Sequence, residues 1–287
     1  MYEVEKGKVK VQDIEMAYAI SGKGCPLVLI MGFAGLGDYW GWNFVSLLAE
    51  HFRVILFDNR GLGNTTRGEE PFSIPRFADD TAGLMDALSI KSAHVMGWSM
   101  GSFIAQELAL NFPERVNRLI LYAGSCGGLQ AALPSPQVLK DMFDISRSTM
   151  ELTERALELM IPEKWLNENQ SFRKGFLARP LSVYRENPHE VKEQARAILT
   201  WEGSYGRLKA IHQKTLLLTG TEDVMVPSEN SDILAERIPD SRIERIAGGG
   251  HGMIYQYPGR ISRLVTDFLI ENYRKGNPVC QDRSSPV

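Results

Sequence analysis

A tight turn between a predicted strand and a predicted helix constrains the fold of this chain more than any other feature. The stretch 92–96 is largely apolar, as in a buried strand, and residues 103–110 have the composition of a helix. Between them, G-W-S-M-G at 97–101 matches the pattern G-x-S-x-G. Such a turn is strained and brings the backbone close to itself, which favours glycine because it lacks a Cβ. If the match is not a chance pentapeptide in a glycine-rich chain, the turn projects the Ser99 hydroxyl away from the sheet.

Strands and helices alternate on both sides of this turn. Further strands are predicted at 27–31, 53–57, 116–122, 215–219 and 242–246, and helices at 38–50, 77–88, 231–238 and 261–273. Residues 8–20 alternate between apolar and polar, as two edge strands joined at Gln12-Asp13 would. The alternation predicts an α/β fold with a mostly parallel sheet that carries helices on both faces.

The alternation stops between residues 127 and 207. This window contains several prolines and predicted helices at 136–146, 153–168, 171–178 and 188–201, with no convincing strand. We therefore predict a core formed by residues 1–126 and 208–276, a helical cap at 127–207 inserted between two late strands, and a disordered tail at 277–287. A helical insertion at this place is expected to cover one end of the sheet.

Composition excludes several classes of protein. The chain has 287 residues, of which 44% are hydrophobic and 23% charged, as expected for a globular protein with a large core. A net charge of −3 provides no basic surface for nucleic acid, so neither a DNA-binding nor an RNA-binding module is indicated. The expected partner is a small molecule.

The cysteines and the ends of the chain bear on its location. Cys25, Cys126 and Cys280 are far apart and odd in number, which favours reduced thiols. The first ten residues are too charged for a signal peptide, and no apolar run is long enough to span a membrane. A cytoplasmic location is the expectation.

A serine hydroxyl needs a base to accept its proton, and the base needs an acid to orient it. The chain has five histidines. His251 follows the last predicted strand in a glycine-rich loop, at the end of the sheet where α/β proteins form ligand sites. A structural role is expected for the other four, His51, His94, His189 and His212, and of these His51 and His94, which precede strands, are expected at the surface or an edge.

The acid is expected from a loop at the same end of the sheet. Residues 220–227 follow a buried strand and contain two carboxylates, Glu222 and Asp223. We favour Asp223 because its shorter side chain can bind an imidazole N–H from a turn with less freedom. The alternative is an Asp that serves only as a turn or helix cap.

Four motifs together resemble the α/β-hydrolase superfamily. They are G-W-S-M-G at 97–101, D-x-R-G-x-G-x-T at 58–65, G-x-x-D-x-x-V-P at 220–227 and G-G-H-G around His251. The order Ser99, Asp223, His251 also matches that superfamily. The resemblance covers nearly the whole chain and is closest to the branch that contains enol-lactonases, C–C bond hydrolases, small esterases and cofactor-free haloperoxidases. It implies a Ser-His-Asp triad.

The resemblance also implies an oxyanion hole formed by the backbone N–H groups of Phe33 and Met100. The family usually has His-Gly before the first donor, and this chain has Met31-Gly32 instead. Because the donor is a backbone group, the change should leave the hole in place and alter only the packing or polarity of the loop. The candidates for the substrate pocket are Trp98, Gly32 and Met253. For Trp98, packing beneath the turn is an equally good alternative.

Two further features have simpler interpretations. The loop Asp58-Asn59-Arg60 could be catalytic, but turns use such residues for backbone reasons, and we expect a structural role. The chain has no cluster with metal-ligand spacing and no G-x-G-x-x-G that opens a helix after the first strand, so no metal or nucleotide cofactor is implied.

The functional hypothesis is a serine hydrolase that cleaves a small carboxylic ester, thioester or lactone through an acyl-enzyme. The rival in chemistry is a C–C bond hydrolase or a perhydrolase that uses the same three residues. The rival of another class is a catalytically silent protein that binds a small ligand. The sequence leaves the identity of the acyl group or ring open.

Overall fold

The computed structural model describes residues 4–271 and is organised around one eight-stranded sheet. The strands are β1 (Val4–Val11), β2 (Ile14–Ser21), β3 (Pro26–Ile30), β4 (Arg53–Phe57), β5 (Ala93–Trp98), β6 (Val116–Tyr122), β7 (Thr215–Gly220) and β8 (Ser241–Ile246). Their order across the sheet is β1-β2-β4-β3-β5-β6-β7-β8. Strand β2 pairs antiparallel with β1 and β4, and the other neighbouring pairs are parallel. The predicted mostly parallel sheet is confirmed.

The helices connect these strands in the predicted alternation. They are α1 (Trp42–Ala49), α2 (Ile74–Ala87), α3 (Met100–Asn111), α4 (Pro136–Phe143), α5 (Thr149–Met160), α6 (Glu163–Glu168), α7 (Gln170–Leu177), α8 (Val183–Glu186), α9 (Pro188–Thr200), α10 (Glu229–Ala235), α11 (Met253–Gln256) and α12 (Pro258–Ile270). Helices α4–α9 all lie between β6 and β7, so the helical cap is inserted where the sequence predicted it. We use "cap" for residues 127–207.

One cap helix differs from its prediction at its start and in its middle. The sequence predicted a helix over 153–168, but the structure has α5 and α6, separated at Ile161 and Pro162. Proline has no N–H to donate within a helix, which explains the break. Helix α5 begins earlier than predicted because Ser148 and Glu151 form a capping box at its N-terminus.

Side chains from alternate positions of the central strands form two separate cores, one on each face of the sheet. In β3, Val28 and Ile30 belong to one apolar cluster, whereas Leu27 and Leu29 belong to the other. Burial of each such side chain contributes roughly 1.5–3 kcal/mol. With both faces covered, the carboxyl ends of the parallel strands remain the edge where a site can form.

Two expectations from the sequence are wrong. His94 was expected at the surface or an edge, but it lies within β5 and is fully buried. Cys25 is disulfide-bonded, although reduced thiols were expected, while Cys126 is a buried free thiol. The cytoplasmic location therefore loses the support that it took from the cysteines, and it stays a prediction.

Two points concern the limits of the described chain. Within residues 4–271, every helix is too short or too polar to cross a membrane. The predicted tail at 277–287 and the last residues of the predicted core, 272–276, lie outside the described residues. The division of the chain into domains stays a prediction.

Candidate active site

The turn after β5 has the strained geometry expected from its sequence. Ser99 has φ 57° and ψ −120°, a backbone conformation that residues other than glycine rarely adopt. A Cβ at Gly97 would overlap the carbonyl oxygen of Gly101, and one at Gly101 would overlap that of Ile30. Both glycines are therefore required by close backbone approach.

The strained turn is fixed by its neighbours in the sheet and the helix. The Ser99 N–H donates to the carbonyl of Tyr122 at the end of β6 (2.9 Å), and the Ser102 N–H donates to the Ser99 carbonyl (2.8 Å). Ser99 is the N-cap of α3, and Met100 is the first residue of that helix. Unpaired N–H groups at a helix N-terminus favour negative charge that develops beside them.

The loops after β7 and β8 bring a carboxylate to an imidazole. The Nδ1 atom of His251 lies 2.8 Å from Oδ2 of Asp223, and both side chains are almost fully buried. The other carboxylate oxygen of Asp223 accepts the N–H groups of Met225 and Val226, each at 2.9 Å. These two bonds hold the carboxylate in one orientation, whereas Glu222 is exposed to solvent.

Tyr122 connects the turn at Ser99 to the loop of His251, and sequence analysis did not identify this role. Its hydroxyl donates to the carbonyl of His251 (3.1 Å) and accepts the N–H of Ile254 (3.0 Å). The side chain is fully buried, and burial raises the pKa of its phenol well above the usual value. The hydroxyl is therefore neutral and can both donate and accept. In the sequence, the only signal was a tyrosine at the end of a buried strand.

The loop that follows β3 passes directly against Ser99. A Cβ at Gly32 would lie 3.1 Å from the Cβ of Ser99. Two buried amides hold the loop. Asn59 donates to the carbonyl of Met31 (3.0 Å), and Gln194 of the cap accepts the N–H of Ala34 (3.0 Å).

A cavity of about 1260 Å³ joins these elements beneath the cap. Its lining includes Ser99 and His251, together with most of the other residues proposed from the sequence: Phe33, Met100, Trp98 and Gly32. Asp223 lies behind His251 and is not part of the lining. Met253, predicted to line the pocket, is instead fully buried in the apolar core.

Comparison with protein families identifies the fold. A family described as "alpha/beta hydrolase fold" matches residues 26–258, which is most of the chain. The protein belongs to the α/β-hydrolase family.

The relatives of this α/β-hydrolase are named after different activities. A protein of Azorhizobium caulinodans, named as a candidate carbamate hydrolase (RutD), is 31% identical over 90% of this chain and 96% of its own length. A protein of Mycobacterium tuberculosis, named as a candidate non-heme bromoperoxidase (BpoC), is 30% identical over 89% of this chain and 98% of its own. The solved structure of a thermophilic esterase from Thermogutta terrifontis is 26% identical, with a TM-score of 0.77 over 92% of this chain and 98% of that one.

Trp98 both lines the cavity and packs beneath the turn of this α/β-hydrolase. Its ring lies 5.3 Å from that of Tyr122, 5.6 Å from that of Trp40 and 5.9 Å from that of His251, measured between centroids. Aromatic pairs at such distances stabilise one another beyond the area they bury. The two interpretations offered by the sequence are therefore compatible.

The loop Asp58-Asn59-Arg60 has a structural role in the hydrolase, because its charged side chains bind other parts of the chain. The guanidinium of Arg60 is fully buried and binds Asp80 through two atoms, at 2.6 and 2.8 Å, and Asp13 through two atoms, at 2.8 and 2.9 Å. Asp58 accepts the N–H of Gly37 (2.9 Å). None of these four charged residues lines the cavity.

Among the described residues, none of the remaining histidines lines the cavity. His51, His189 and His212 are exposed on the surface. Across residues 4–271, no three His, Cys, Asp or Glu side chains are grouped so that they could hold a metal ion.

Proposed function

We propose that this α/β-hydrolase is a serine hydrolase that cleaves a small-molecule carboxylic ester, thioester or lactone through an acyl-enzyme. One observation carries the proposal. His251 is oriented by Asp223 at 2.8 Å, and its imidazole lines the same cavity as the strained Ser99. Ser, Asp and His in this chain order have the roles of nucleophile, orienting acid and base in such enzymes.

In the first step, Ser99 Oγ attacks the substrate carbonyl carbon while Nε2 of His251 accepts the hydroxyl proton. Asp223 accepts the N–H of Nδ1, which keeps the proton off Nε2 beforehand and stabilises the imidazolium afterwards. The new C–O bond places a negative charge on the carbonyl oxygen. The backbone N–H groups of Phe33 and Met100 are the proposed donors to that oxyanion.

In the second step, the carbonyl re-forms, and the bond to the leaving alcohol, thiol or ring oxygen breaks. His251 gives its proton to the leaving atom. Water then attacks the acyl-enzyme with His251 again as the base, which releases the acid and restores Ser99.

The loop after β3 matters to this mechanism through its backbone. Loss of one oxyanion donor typically reduces the rate by about 10²–10³. Because Asn59 holds the carbonyl of Met31, we infer that the path of the loop does not depend on the histidine that the family usually has at this position. We infer that Met31 leaves the donor at Phe33 in place.

The first experiment is labelling with a fluorophosphonate, followed by intact-mass spectrometry. The wild type should gain one phosphonyl group, and Ser99→Ala should gain none. Ser125→Ala is the matched control, since Ser125 also lines the cavity, and this variant should label normally. Labelling of Ser99→Ala at the wild-type rate would place the nucleophile elsewhere and refute the proposal.

The second experiment separates the candidate reactions. The enzyme is tested with p-nitrophenyl esters, a lactone, a carbamate, a vinylogous diketone, and an ester with hydrogen peroxide. We expect the highest kcat/KM for an ester, thioester or lactone. Preference for the diketone would indicate a C–C bond hydrolase, and peracid formation would indicate a perhydrolase. Ligand binding without turnover of any of these compounds would favour a silent binding protein.

A further inference from the structure

The three most exposed large apolar side chains of the described residues all line the cavity that contains Ser99. Leu129 is 99% exposed, Leu133 69% and Leu199 64%. The other exposed large apolar residues, Trp42, Met150 and Val224, are 43–47% exposed and lie outside the cavity. Single exposed leucines need no explanation, but three that are exposed to solvent and also line one cavity make its rim apolar.

The backbone on which these leucines lie is anchored. Beside Leu133, the Ala132 N–H donates to the buried side chain of Asn230 (2.9 Å), which donates back to the Ala132 carbonyl (2.8 Å). Near the other end of the cap, the Ser204 N–H donates to the carbonyl of Cys126, the residue just before the cap (2.8 Å). The leucines are therefore exposed on a backbone that hydrogen bonds keep in place.

An apolar wall connects this rim to the candidate nucleophile. Phe103 follows Ser99 by one helical turn, so the two lie on the same side of α3. The Phe103 ring stacks on Trp201 with centroids 4.8 Å apart. Trp201 is fixed by its indole N–H, which donates to Glu107 (2.8 Å), and it follows Leu199 by two residues. Ser99, Phe103, Trp201 and Leu199 all line the cavity.

The two arginines that line the cavity are poorly suited to bind a carboxylate on the substrate. Arg155 forms ion pairs with Asp141 (3.6 Å) and Glu158 (3.3 Å), and Arg179 is exposed to solvent. The cavity of about 1260 Å³ is also larger than the roughly 300–1000 Å³ typical of small-molecule sites. It has room for much more than the reacting carbonyl.

We propose that the cavity takes a neutral ester with a long apolar chain, which lies along the Phe103–Trp201 wall and reaches the rim at Leu129, Leu133 and Leu199. This inference rests on the proposed serine hydrolase function and adds the class of its substrate. Each methylene that leaves water for such a wall should raise kcat/KM by about fourfold.

The test is a chain-length series of p-nitrophenyl esters from acetate to decanoate, below their micellar concentrations, together with a matched series of alkyl acetates. In one of the two series, kcat/KM should rise by at least about 100-fold from the shortest to the longest chain. A p-nitrophenyl hemisuccinate, which carries a carboxylate, should be a poorer substrate than the butyrate.

Variants locate the effect at the rim. Leu129→Ser, Leu199→Ser and the double variant should reduce the ratio of long-chain to short-chain kcat/KM, by about tenfold or more for the double variant. Met150→Ser and Val224→Ser are the matched controls, because these exposed residues lie outside the cavity, and they should leave the ratio unchanged.

Three results would overturn the inference: no rise with chain length in either series, preference for the hemisuccinate, or rim variants that behave like the controls. These failures differ from failure of the serine hydrolase proposal. In each of them, short esters would still be cleaved by the wild type and not by Ser99→Ala.

Discussion

In two regions of the protein, a buried basic side chain contacts carboxylates. The regions differ in whether that side chain keeps a nitrogen free for a reacting group. Arg60 binds both oxygens of Asp80 and both oxygens of Asp13, and it lies away from the cavity. His251 binds one oxygen of Asp223 through one ring nitrogen, and its ring lines the cavity. The guanidinium is saturated, whereas the imidazole keeps a second nitrogen for a reacting group.

The electrostatics of the Arg60 cluster follow from this saturation. The hydrogen bond from Arg60 holds the pKa of Asp13 well below its usual range. A carboxylate whose pKa is lowered on folding stabilises the folded state above its unfolded pKa and loses that contribution as the pH falls. Burial instead raises the pKa of Asp80 in the same cluster, so this pH-dependent contribution to stability belongs to Asp13 alone.

The largest expected effect tests the Asp223 side of this comparison. Asp223→Asn should reduce kcat by about 10⁴, because the amide no longer keeps the productive tautomer of His251. Steady-state kinetics on an ester measure the loss, and circular dichroism checks the fold. Glu222→Gln is the control, since Glu222 is the exposed neighbour, and it should keep wild-type activity. A loss below tenfold in Asp223→Asn would remove the distinction between the two regions.

The next effect tests the Arg60 side. Asp80→Ala should lower the free energy of unfolding by about 3–5 kcal/mol, because it leaves a buried guanidinium with one partner fewer. Urea denaturation measures this, and kcat per folded molecule should stay near the wild-type value. The control is Asp86→Ala, whose exposed pair with Arg115 should contribute at most about 1 kcal/mol.

If Asp80→Ala does not fold, Asp13→Ala is the milder variant, because the Asp13 side chain is 26% exposed. A folded variant of either kind with kcat reduced 100-fold would assign the Arg60 cluster to catalysis instead.

A smaller effect concerns a buried amide that supports the site from the cap. Gln194→Met leaves the Ala34 N–H without its acceptor, beside the proposed oxyanion donor at Phe33. We expect kcat to fall by about 10–100-fold with KM nearly unchanged, since a displaced donor affects the transition state more than binding.

The control for this variant is Gln213→Met. Gln213 lies just before β7, is also buried, donates to the Pro113 carbonyl and is outside the cavity. It should lower stability by about 1–3 kcal/mol without changing kcat. A Gln194→Met variant that loses only stability would show that the cap does not position the loop.

The smallest effect concerns a third buried basic side chain, that of His94, which lies near the positive charge of Arg118. Burial, together with the charge of Arg118, lowers the pKa of His94 to about 4. The unfolded state then binds more protons between that value and about 6.5, so stability should fall as the pH decreases through this window, by about 1 kcal/mol between pH 7 and 5.5.

Urea denaturation at several pH values measures this slope. His94→Gln should flatten it, and His51→Gln, at an exposed histidine, should not. An unchanged slope in His94→Gln would show that another group is responsible.

The fold and the candidate residues of the site could be predicted because their signals are local. The turn at Ser99 requires glycine within two residues on either side, and its strand and helix are adjacent in the chain. Continuous apolar strands separated by helices leave a mostly parallel sheet as the simplest arrangement. A glycine-rich loop after a strand was enough to select His251.

The supports of the site could not be predicted, because they join distant parts of the chain. Gln194 meets Ala34 across 160 residues, and Tyr122 meets His251 across 129. Neither contact has a sequence pattern, since any buried polar side chain must find a partner somewhere. The same limit explains the errors at His94 and Met253, whose burial depends on which helices pack over them.

By itself, the sequence determined the alternation of strands and helices, the strained serine turn and the cap insertion, since backbone sterics and apolar periodicity act over a few residues. Only the tertiary structure decided that Asp223 and not Glu222 meets the imidazole, that Arg60 is saturated, and that Gln194 and Tyr122 hold the site. Those outcomes depend on how close separate elements come when both faces of the sheet are packed.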